Sequence, residues 1–534
     1  MQDAITITPD GRSLNVRFDR YDLDAYALFL RAKRIPEAET HYDWRTDAYT
    51  VSAPARFARM LGVEPAGATA GWLPLATHLF DYQRWIVELA LESKRFACWC
   101  DTGLGKTAIY LEWARQVSHL TGGRVLIFTA NQVVPQVPEM AAEFYRDGDG
   151  LPIERIESRA ALAAWCQADG PAIGITNHHK MVDGVLPELR YLAGVALDEA
   201  SILRSGGGKI KWNLIKSCRG IEYKLTATAT PAPNDAMEYA SQASFLEKLR
   251  NEGEVLWTYF TRTKAGDWVV KPHAREAFYQ FMATWSVYMR DPAHFGFADI
   301  LSTLPPPDVQ EYQIPLTEMQ REMMNTYLVR LGKGMLTDDR MGVQERSKLA
   351  QLAKGFLYDN SGPKRLAALV DSNKPAFVAG LVRSEVAAGR QTLIATVFDE
   401  ESSILAQELA GSGIRLGVLD GSMSDDARLS VLRNFRAGAL DGLISKASLI
   451  GYGLNLQFCR SIIFSGFDDS FERMYQFIRR CYRFGQTETV HVHVPYVPEL
   501  EGMMFSNVKQ KEARFFADVE IQEAMYRKAM MGAA

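Results

Sequence analysis

Short apolar runs alternate with amphipathic stretches along much of the chain. RVLIFTA (124–130), AIGIT (172–176), GVALD (194–198) and TLIAT (392–396) are each bounded by polar or turn residues, as expected for buried strands. Helix-like segments lie between these runs. An alternation of this kind predicts α/β architecture with parallel sheets.

The alternation is interrupted twice, and the interruptions divide the chain. Residues 1–72 form a small unit that ends in the Gly/Ala/Pro-rich stretch VEPAGATAGWLP, and residues 241–365 are mostly helical in pattern. We predict an α/β fold with two parallel-sheet lobes, a helical insert between them, a small N-terminal α+β domain and a C-terminal helix. The predicted boundaries are 1–72 for the N-terminal accessory domain, 73–240 for lobe 1, 241–365 for the insert and linker, 366–497 for lobe 2 and 498–534 for the C-terminal helical brace.

Composition narrows the class of protein without identifying it. The 534 residues carry 60 Lys+Arg against 64 Asp+Glu, a formal net charge of −4, and 47% of them are hydrophobic, so the chain can bury several cores. We find no signal-peptide pattern, no run of 18 apolar residues and no zinc-like cysteine spacing. We therefore expect a cytosolic protein with reduced thiols and no membrane partner. Nucleic-acid binding stays open, because a local basic groove can coexist with an acidic exterior.

The segment FACWCDTGLGKTAIYLEWA (96–114) has the pattern of a strand, a glycine-rich turn and a helix. Gly103 and Gly105 allow backbone N–H groups to close around phosphate oxygens at the positive end of the helix. Lys106 is placed to reach the β- and γ-phosphates of a nucleotide, and Thr107 to hold Mg²⁺ by its hydroxyl. The segment therefore predicts a site for ATP and Mg²⁺.

An acidic pair follows in the same α/β block. The apolar strand within LAGVALDEAS (192–201) ends in Asp198 and Glu199, at the carboxyl edge where α/β sheets bind ligands. We predict that Asp198 binds Mg²⁺ and that Glu199 polarises the water that attacks the γ-phosphate.

A basic segment, FERMYQFIRRCYRFGQT (471–487), lies at the end of the second α/β block. Arg480 and Arg483 are three residues apart, so we expect them to share a helix face. Arginines from a second domain can stabilise the charge on a transferred γ-phosphoryl group, and we predict this catalytic role for both. The alternative interpretation is a solvated basic helix.

Together these segments resemble superfamily II helicases, and within them the Swi/Snf-like DNA translocases, over about residues 75–500. The resemblance implies two RecA-like lobes, ATP hydrolysis with Mg²⁺, and binding to duplex or branched DNA. The segments that carry it are, in order, FDYQRW (80–85), DTGLGKT (101–107), FTANQVVPQVPEMAAEF (128–144), ITNHHKM (175–181), LDEAS (197–201), TATPAPND (228–235), TLIATVFDEESSIL (392–405), VLDGSMSDDARLSVLRNF (418–435), GYGLNLQFCRSIIF (451–464) and QFIRRCYRFGQ (476–486).

The resemblance also assigns roles to single residues. It implies that Gln83 reads adenine and that Gly453 belongs to the nucleotide-binding set. The residues implied to contact nucleic acid are Thr228, Thr230, Arg428 and Asn455. The sequences of the segments TATPAPND and KASLIGYGLN are most similar to those of family members encoded by bacteriophages and prophages. That likeness implies the bacterial cytoplasm or nucleoid as the location, and replication or recombination proteins as further partners.

The chain departs from the family pattern at several positions. Cys100 replaces a glycine of the strict phosphate-loop pattern, Ser201 replaces a common histidine, and Arg479 occupies a position that is often acidic. Lys446 lies about two residues before the position of the family's lysine. The contacts expected from the family are altered at these positions.

Two further segments combine aromatic and basic residues, which can stack on or grip nucleic acid. The first is LWTYFTRTK (256–264), for which a packed helix is an equally good interpretation. The second is RAKRIPEAETHYDWRTDAYTVSAP (31–54), which resembles the HARP domain of annealing helicases; a structural cap on lobe 1 is the alternative.

Three functions are compatible with these observations. The leading hypothesis is an ATP-dependent, DNA-stimulated translocase of the Swi/Snf-like type. Such a protein hydrolyses ATP between two lobes to move along or remodel duplex or forked DNA, by annealing, branch migration or fork remodelling. The first alternative is a helicase that unwinds single-stranded DNA or RNA, although the sequence shows no evident strand-separating wedge. The second alternative is a nucleotide-gated binding subunit of a larger complex.

Overall fold

The computed structural model divides the chain into two units, residues 1–300 with 517–534 and residues 301–516. Each unit is built around its own parallel sheet. The structure describes residues 5–531 with these gaps: 8–12, 20–22, 34, 36–37, 55–60, 62–70, 132, 147, 149, 204–207, 232–237, 250–251, 263–267, 299–304, 331–341, 360–365, 451–455 and 484.

The N-terminal part of the first unit is a small α+β domain, as predicted. Its elements are β1 (Ile5–Ile7), β2 (Ser13–Phe18), α1 (Leu23–Lys33), β3 (Glu39–Asp43) and β4 (Ala48–Pro54). The four strands form an antiparallel sheet in the order β1-β2-β4-β3. Leu14, Val16 and Val51 of the sheet pack against Leu28 and Ala32 of the helix to form a separate core.

The rest of the first unit contains a seven-stranded parallel sheet. The elements are α2 (Asp81–Ser93), β5 (Arg95–Cys100), α3 (Lys106–Thr121), β6 (Arg124–Thr129), α4 (Gln136–Phe144), β7 (Glu154–Arg155), α5 (Arg159–Gln167), β8 (Ala172–Asn177), β9 (Gly194–Asp198), α6 (Lys209–Ser217), β10 (Tyr223–Ala227), α7 (Glu238–Phe245), α8 (Glu252–Tyr259), β11 (Phe260–Arg262), β12 (Trp268–Val270), α9 (Arg275–Ala283) and β13 (Ser286–Met289). The strand order is β13-β5-β10-β9-β6-β8-β7, and β11 pairs with β12 in a separate hairpin. The strands predicted at 124–130, 172–176 and 194–198 are confirmed as β6, β8 and β9.

The central strand β9 shows why these runs are apolar along their whole length. All five of its residues are buried, so both faces of the sheet are covered at this strand. Gly194, its first residue, permits a close approach of α3, because a Cβ there would lie 3.0 Å from Val117 Cγ1 and 3.3 Å from the ring of Trp113. The helix that carries the predicted phosphate-binding residues is therefore packed directly on the middle of the sheet.

The second unit contains a six-stranded parallel sheet. Its elements are β14 (Asp308–Gln313), α10 (Glu318–Arg330), α11 (Val343–Ala353), β15 (Phe356–Asp359), β16 (Leu366–Leu369), α12 (Asn373–Ala387), β17 (Thr392–Thr396), α13 (Asp399–Glu408), β18 (Leu416–Leu419), α14 (Asp425–Arg436), β19 (Gly442–Lys446), α15 (Ala447–Ile450), β20 (Ser461–Phe464), α16 (Phe471–Cys481), β21 (His491–Tyr496) and α17 (Pro498–Met531), the last of which ends in the first unit. The strand order is β14-β21-β20-β17-β19-β18, while β15 and β16 form a hairpin. The predicted α/β class, with two parallel-sheet units and a C-terminal helix, is confirmed.

The structure describes five strands where the sequence predicts a mostly helical insert, residues 241–365. The strands β11, β12 and β15 belong to hairpins, and β13 and β14 join the two parallel sheets. β13 pairs with β5 at one edge of the first sheet, and β14 pairs with β21 at one edge of the second. β14 has the polar sequence DVQEYQ and no buried residue, so it lacks the apolar signature of a strand. β13 is buried throughout but has only four residues. The mostly helical pattern is therefore interrupted at these strands.

Two findings concern the expectations drawn from composition. No helix within the described parts of the chain is long and apolar enough to cross a membrane. The six cysteines, all of which the structure describes, are buried and unbridged.

A buried ionic cluster fixes the beginning of α17 within the second unit. The carboxylate of Glu501 accepts hydrogen bonds from Lys354 Nζ and Lys374 Nζ, each at 2.6 Å, and none of the three side chains is more than 1% exposed. Burial alone would raise the pKa of Glu501, but the two ammonium groups lower it below its usual value. Burial lowers the pKa of Lys374 to about 8, against the attraction of Glu501. Each charge in the cluster therefore depends on its partners.

We predict that Glu501→Gln lowers the free energy of unfolding of the second unit by about 3–5 kcal/mol, because it leaves two buried ammonium groups facing a neutral amide. Urea unfolding at pH 7 measures the loss. Glu499→Gln is the matched control, since Glu499 is exposed on the same helix. A loss no larger than that of the control would contradict the stabilising role of the cluster.

The same contact has a pH dependence of defined sign. The folded pKa of Glu501 lies below its usual 4.5, so its stabilising contribution is complete above that pH and is lost as the pH falls through the folded value. The stability difference between the wild type and Glu501→Gln should therefore shrink in acid. An equal difference at pH 7 and pH 3 would exclude this linkage.

Candidate active site

The phosphate loop connects β5 to α3, as the sequence predicts. Gly103 has a φ of 93° and Gly105 a φ of 69°, in the left-handed region that glycine enters without a Cβ clash. Lys106 and Thr107 are the first two residues of α3, so their side chains lie at its positive end. Lys106 Nζ donates to the backbone oxygens of Cys100, at 3.0 Å, and Asp101, at 3.3 Å. The ammonium group is thereby held at the carboxyl end of β5.

Gln83, predicted to read adenine, packs against this loop from α2. Its side-chain oxygen accepts from Phe80 N at 3.0 Å, and its nitrogen donates to the backbone oxygen of Leu104 at 3.1 Å. A Cβ at Gly105 would lie only 2.3 Å from Gln83 Nε2, so the glycine is required for this contact. Tyr82 OH donates to the same Leu104 oxygen at 3.0 Å. The structure thus shows Gln83 supporting the loop, and the contact with adenine stays a prediction.

The acidic pair lies at the carboxyl end of β9, two strands from β5 in the same sheet. Asp198 is 8% exposed, and its Oδ2 accepts a hydrogen bond from Thr129 Oγ1 at 2.8 Å. Glu199 has a φ of 52°, which is unusual for a residue with a Cβ and costs on the order of 1–3 kcal/mol. Strain of this kind persists only where the surrounding structure enforces it.

His178 is a residue of this site whose contact the sequence analysis missed. Its Nε2 lies 3.0 Å from the backbone oxygen of Asp198, and burial lowers the pKa of the imidazole to about 4, so the ring is neutral at pH 7. The sequence analysis placed His178 two residues after the strand predicted at 172–176; the structure shows that it directly follows β8, whose carboxyl end lies on the same edge of the sheet. Parallel pairing of β8 with β6 and of β6 with β9 brings that edge together.

The residues at this edge suit a hard divalent cation. The predicted ligands are the Thr107 hydroxyl and the Asp198 carboxylate, and oxygen ligands are those that Mg²⁺ prefers. Tyr110 lies one helical turn beyond Thr107, near the acidic pair. Burial, and then the charges of the Asp198 and Glu199 carboxylates, raise the pKa of Tyr110 well above its usual value. The donor set therefore fits Mg²⁺ bound together with nucleotide phosphates.

In the second unit, α16 carries the predicted arginines to its C-terminal end. Ser470 caps the helix by accepting from Arg473 N at 3.3 Å, and the helix ends at Cys481. Arg483 therefore lies beyond the helix, and the expectation that it shares a helix face with Arg480 is wrong. Burial, and then the charges of Arg480 and Arg479, lower the pKa of Arg483 to about 10. Arg483 still carries its proton at pH 7, so the end of α16 concentrates positive charge.

Three of the residues implied to contact nucleic acid have internal contacts. Thr228 and Thr230 are fully buried, and Thr230 N donates to Thr228 Oγ1 at 3.2 Å, which folds the turn after β10. Burial of both side chains is not what a nucleic-acid contact requires. Arg428 Nη2 donates to the backbone oxygen of Gly421 at 2.7 Å and holds the turn before α14. Gly453 and Asn455 lie outside the described residues.

Comparison with known proteins identifies one domain. Residues 373–485 match the model of the helicase conserved C-terminal domain. A solved structure of the Sulfolobus solfataricus SWI2/SNF2 ATPase core in complex with dsDNA is similar over 86% of this chain and 98% of that chain, at 18% sequence identity and a TM-score of 0.38. Values this low do not establish a relationship between the two proteins. No curated protein matches the chain.

The matched domain contains Arg428, Arg480 and Arg483. Helicases are driven by ATP, and the first unit has a phosphate loop and an acidic pair at one sheet edge. The protein is therefore an enzyme that hydrolyses ATP.

We predict that Glu199→Gln still binds ATP·Mg²⁺ but hydrolyses it far more slowly, because the attacking water loses its orienting base. The measurement is nucleotide Kd together with kcat. Glu157→Gln, an exposed position in the same unit, is the control. Loss of nucleotide binding along with turnover would instead give Glu199 a structural or metal-binding role.

Proposed function

We propose that the protein is an ATP-dependent, DNA-stimulated translocase of the Swi/Snf-like type, which moves along or remodels duplex or forked DNA. One combination supports the proposal above all. A phosphate loop and an acidic pair share the carboxyl edge of one parallel sheet, and a helicase C-terminal domain follows in the same chain. Many kinds of nucleotide-binding protein have a phosphate loop and an acidic pair at one sheet edge. The helicase C-terminal domain narrows the class of protein to helicases and translocases.

In the proposed chemistry, four residues of the first unit bind the nucleotide phosphates, bind Mg²⁺ or orient the attacking water. Lys106 places its ammonium group on the β- and γ-phosphates, where it acts as a point charge. Thr107 and Asp198 hold Mg²⁺, which neutralises charge on the phosphate oxygens when bound. Glu199 accepts a hydrogen bond from the attacking water and orients it towards the γ-phosphorus.

Arg480 and Arg483 are proposed to act on the same nucleotide. A guanidinium group offers several N–H donors in a planar arrangement and stays charged at pH 7, so it can stabilise the charge that develops on the transferred phosphoryl group. Burial, and then the charges of Arg480 and Arg479, lower the pKa of Arg483 to about 10, and a bound phosphate group would add a favourable charge beside these arginines. Because this help is needed mainly in the transition state, it should appear in kcat more than in ATP affinity.

The proposed nucleic-acid partner is duplex or branched DNA, bound through its backbone. Phosphate contacts carry little sequence information, and they release counterions, so affinity should fall steeply with salt. The proposed setting is the bacterial cytoplasm or nucleoid, with replication or recombination proteins as further partners and with phage-encoded proteins as relatives.

One observation favours the second candidate, a helicase that acts on single strands. Trp257 is 77% exposed and meets Trp268 of the β11–β12 hairpin edge-on, with ring centroids 6.0 Å apart. The Arg262 guanidinium lies 4.9 Å from the Trp268 ring. Exposed indoles beside a cation can stack on unpaired bases. Tyr259, by contrast, is half-buried and stacks on Phe281.

The deciding experiment is ATPase activity titrated with single-stranded, duplex and forked DNA at fixed salt. We expect duplex or forked DNA to raise kcat, and DNA affinity to fall with salt at a slope near −0.9 per neutralised phosphate on duplex. Glu199→Gln protein, purified in parallel, gives the background from contaminating enzymes. Stimulation by single strands alone would favour unwinding. A rate that no DNA raises would favour a nucleotide-gated binding subunit and contradict the proposal.

A further inference from the structure

His178, the residue that follows β8, forms a hydrogen bond with the last residue of β9 at the sheet edge where the acidic pair lies. Its Nε2 is 3.0 Å from the backbone oxygen of Asp198, and the residue is only 6% exposed. A backbone oxygen can only accept, so Nε2 must carry the proton and donate it. The ring lies nearly parallel to that of Phe128, at an interplanar angle of 14° and a centroid distance of 6.5 Å. These two contacts leave the imidazole one orientation.

The contact is made where β9 leaves its pairing with β6. The register of the two strands ends with Phe128 opposite Leu197, so the oxygen of Asp198 lies beyond it. Thr129 of β6 instead binds the Asp198 carboxylate, at 2.8 Å. The side chain of Asp198 is therefore held from β6, and its backbone oxygen from the residue that follows β8.

The backbone oxygen of Asp198 matters for Glu199 because both belong to one peptide plane. That plane is rigid, and the φ angle of Glu199 is the rotation that relates it to the Glu199 Cα. Glu199 holds a φ of 52°, and Ile202 N donates to its backbone oxygen at 3.1 Å on the other side. A donor fixed on the Asp198 oxygen prevents the plane from rotating back to a relaxed φ.

We propose that His178 is a positioning residue for ATP hydrolysis, which fixes the Asp198–Glu199 peptide plane and so directs the Glu199 carboxylate at the attacking water. The inference rests on the proposed function, in which Glu199 orients that water. In this proposal His178 acts through the Asp198–Glu199 peptide and not by direct contact with the nucleotide. Without its donor, the peptide plane rotates, Glu199 relaxes, and bound ATP is hydrolysed slowly.

Three variants of the full chain separate the hydrogen bond from packing. His178→Phe keeps a ring against Phe128 and removes the donor. His178→Gln keeps an N–H donor at a similar reach. His119→Phe is the matched control, because His119 is exposed in the last turn of α3.

The measurements are kcat, Kd for Mg²⁺ and a slowly hydrolysed ATP analogue, and the thermal unfolding midpoint. We expect His178→Phe to lower kcat at least about tenfold, which corresponds to about 1.4 kcal/mol of barrier. Its nucleotide Kd should stay within about twofold of the wild type, since Glu199 acts mainly in the transition state. His178→Gln should recover most of the rate, and His119→Phe should match the wild type.

Wild-type turnover in folded His178→Phe would overturn the proposal. So would an equal loss in His178→Gln, which would mean that the ring acts by packing, or a parallel loss of nucleotide affinity, which would mean collapse of the site. If His178→Phe does not fold, His178→Met tests the same absence of a donor. Failure of the proposed function is distinguishable, because wild-type turnover would then not rise with duplex or forked DNA, whereas each His178 variant is compared with the wild type under the same conditions.

Discussion

The carboxyl edge of one parallel sheet determines what the first unit can do. β5 and β9 run in the same direction with β10 between them, so the glycine-rich loop after β5 and the acidic pair after β9 emerge on the same side. The positive end of helix α3 lies at that edge. The helix packs closely on β9 because Gly194 has no side chain that would separate them. Strand direction thus brings together the residues that are proposed to bind phosphate, bind the cation and orient water.

Much of this arrangement could be predicted from the sequence, because buried parallel strands are apolar throughout and glycines mark the loop that needs positive φ. The missed features have physical reasons. β14 is an exposed, polar edge strand, and β13 is only four residues long. The contact between His178 and Asp198 joins residues from different strands, and only the strand order reveals it. Arg483 falls beyond the helix because α16 ends at Cys481, a boundary that the sequence pattern did not mark.

The second unit has a different organisation of charge. Lys354, Lys374 and Glu501 are buried together. Their ion pairs, and not apolar packing alone, fix the position of the first turn of α17. Near the end of α16 in this unit, burial and then the charges of Arg480 and Arg479 lower the pKa of Arg483. One group of charges is satisfied internally and belongs to the fold. The other includes Arg480 and Arg483, which are proposed to act on the nucleotide phosphates.

We infer that the loop after β5 binds the phosphates of ATP and that the acidic pair takes part in their hydrolysis. ATP turnover by Lys106→Ala tests it most directly, with Lys94→Ala as the control, because Lys94 is exposed at the opposite end of the same strand. We expect Lys106→Ala to keep the wild-type unfolding midpoint and to lose ATP turnover, since the lysine is proposed to act as a charge on phosphate and not as part of the core. Near-normal turnover in folded Lys106→Ala would contradict it.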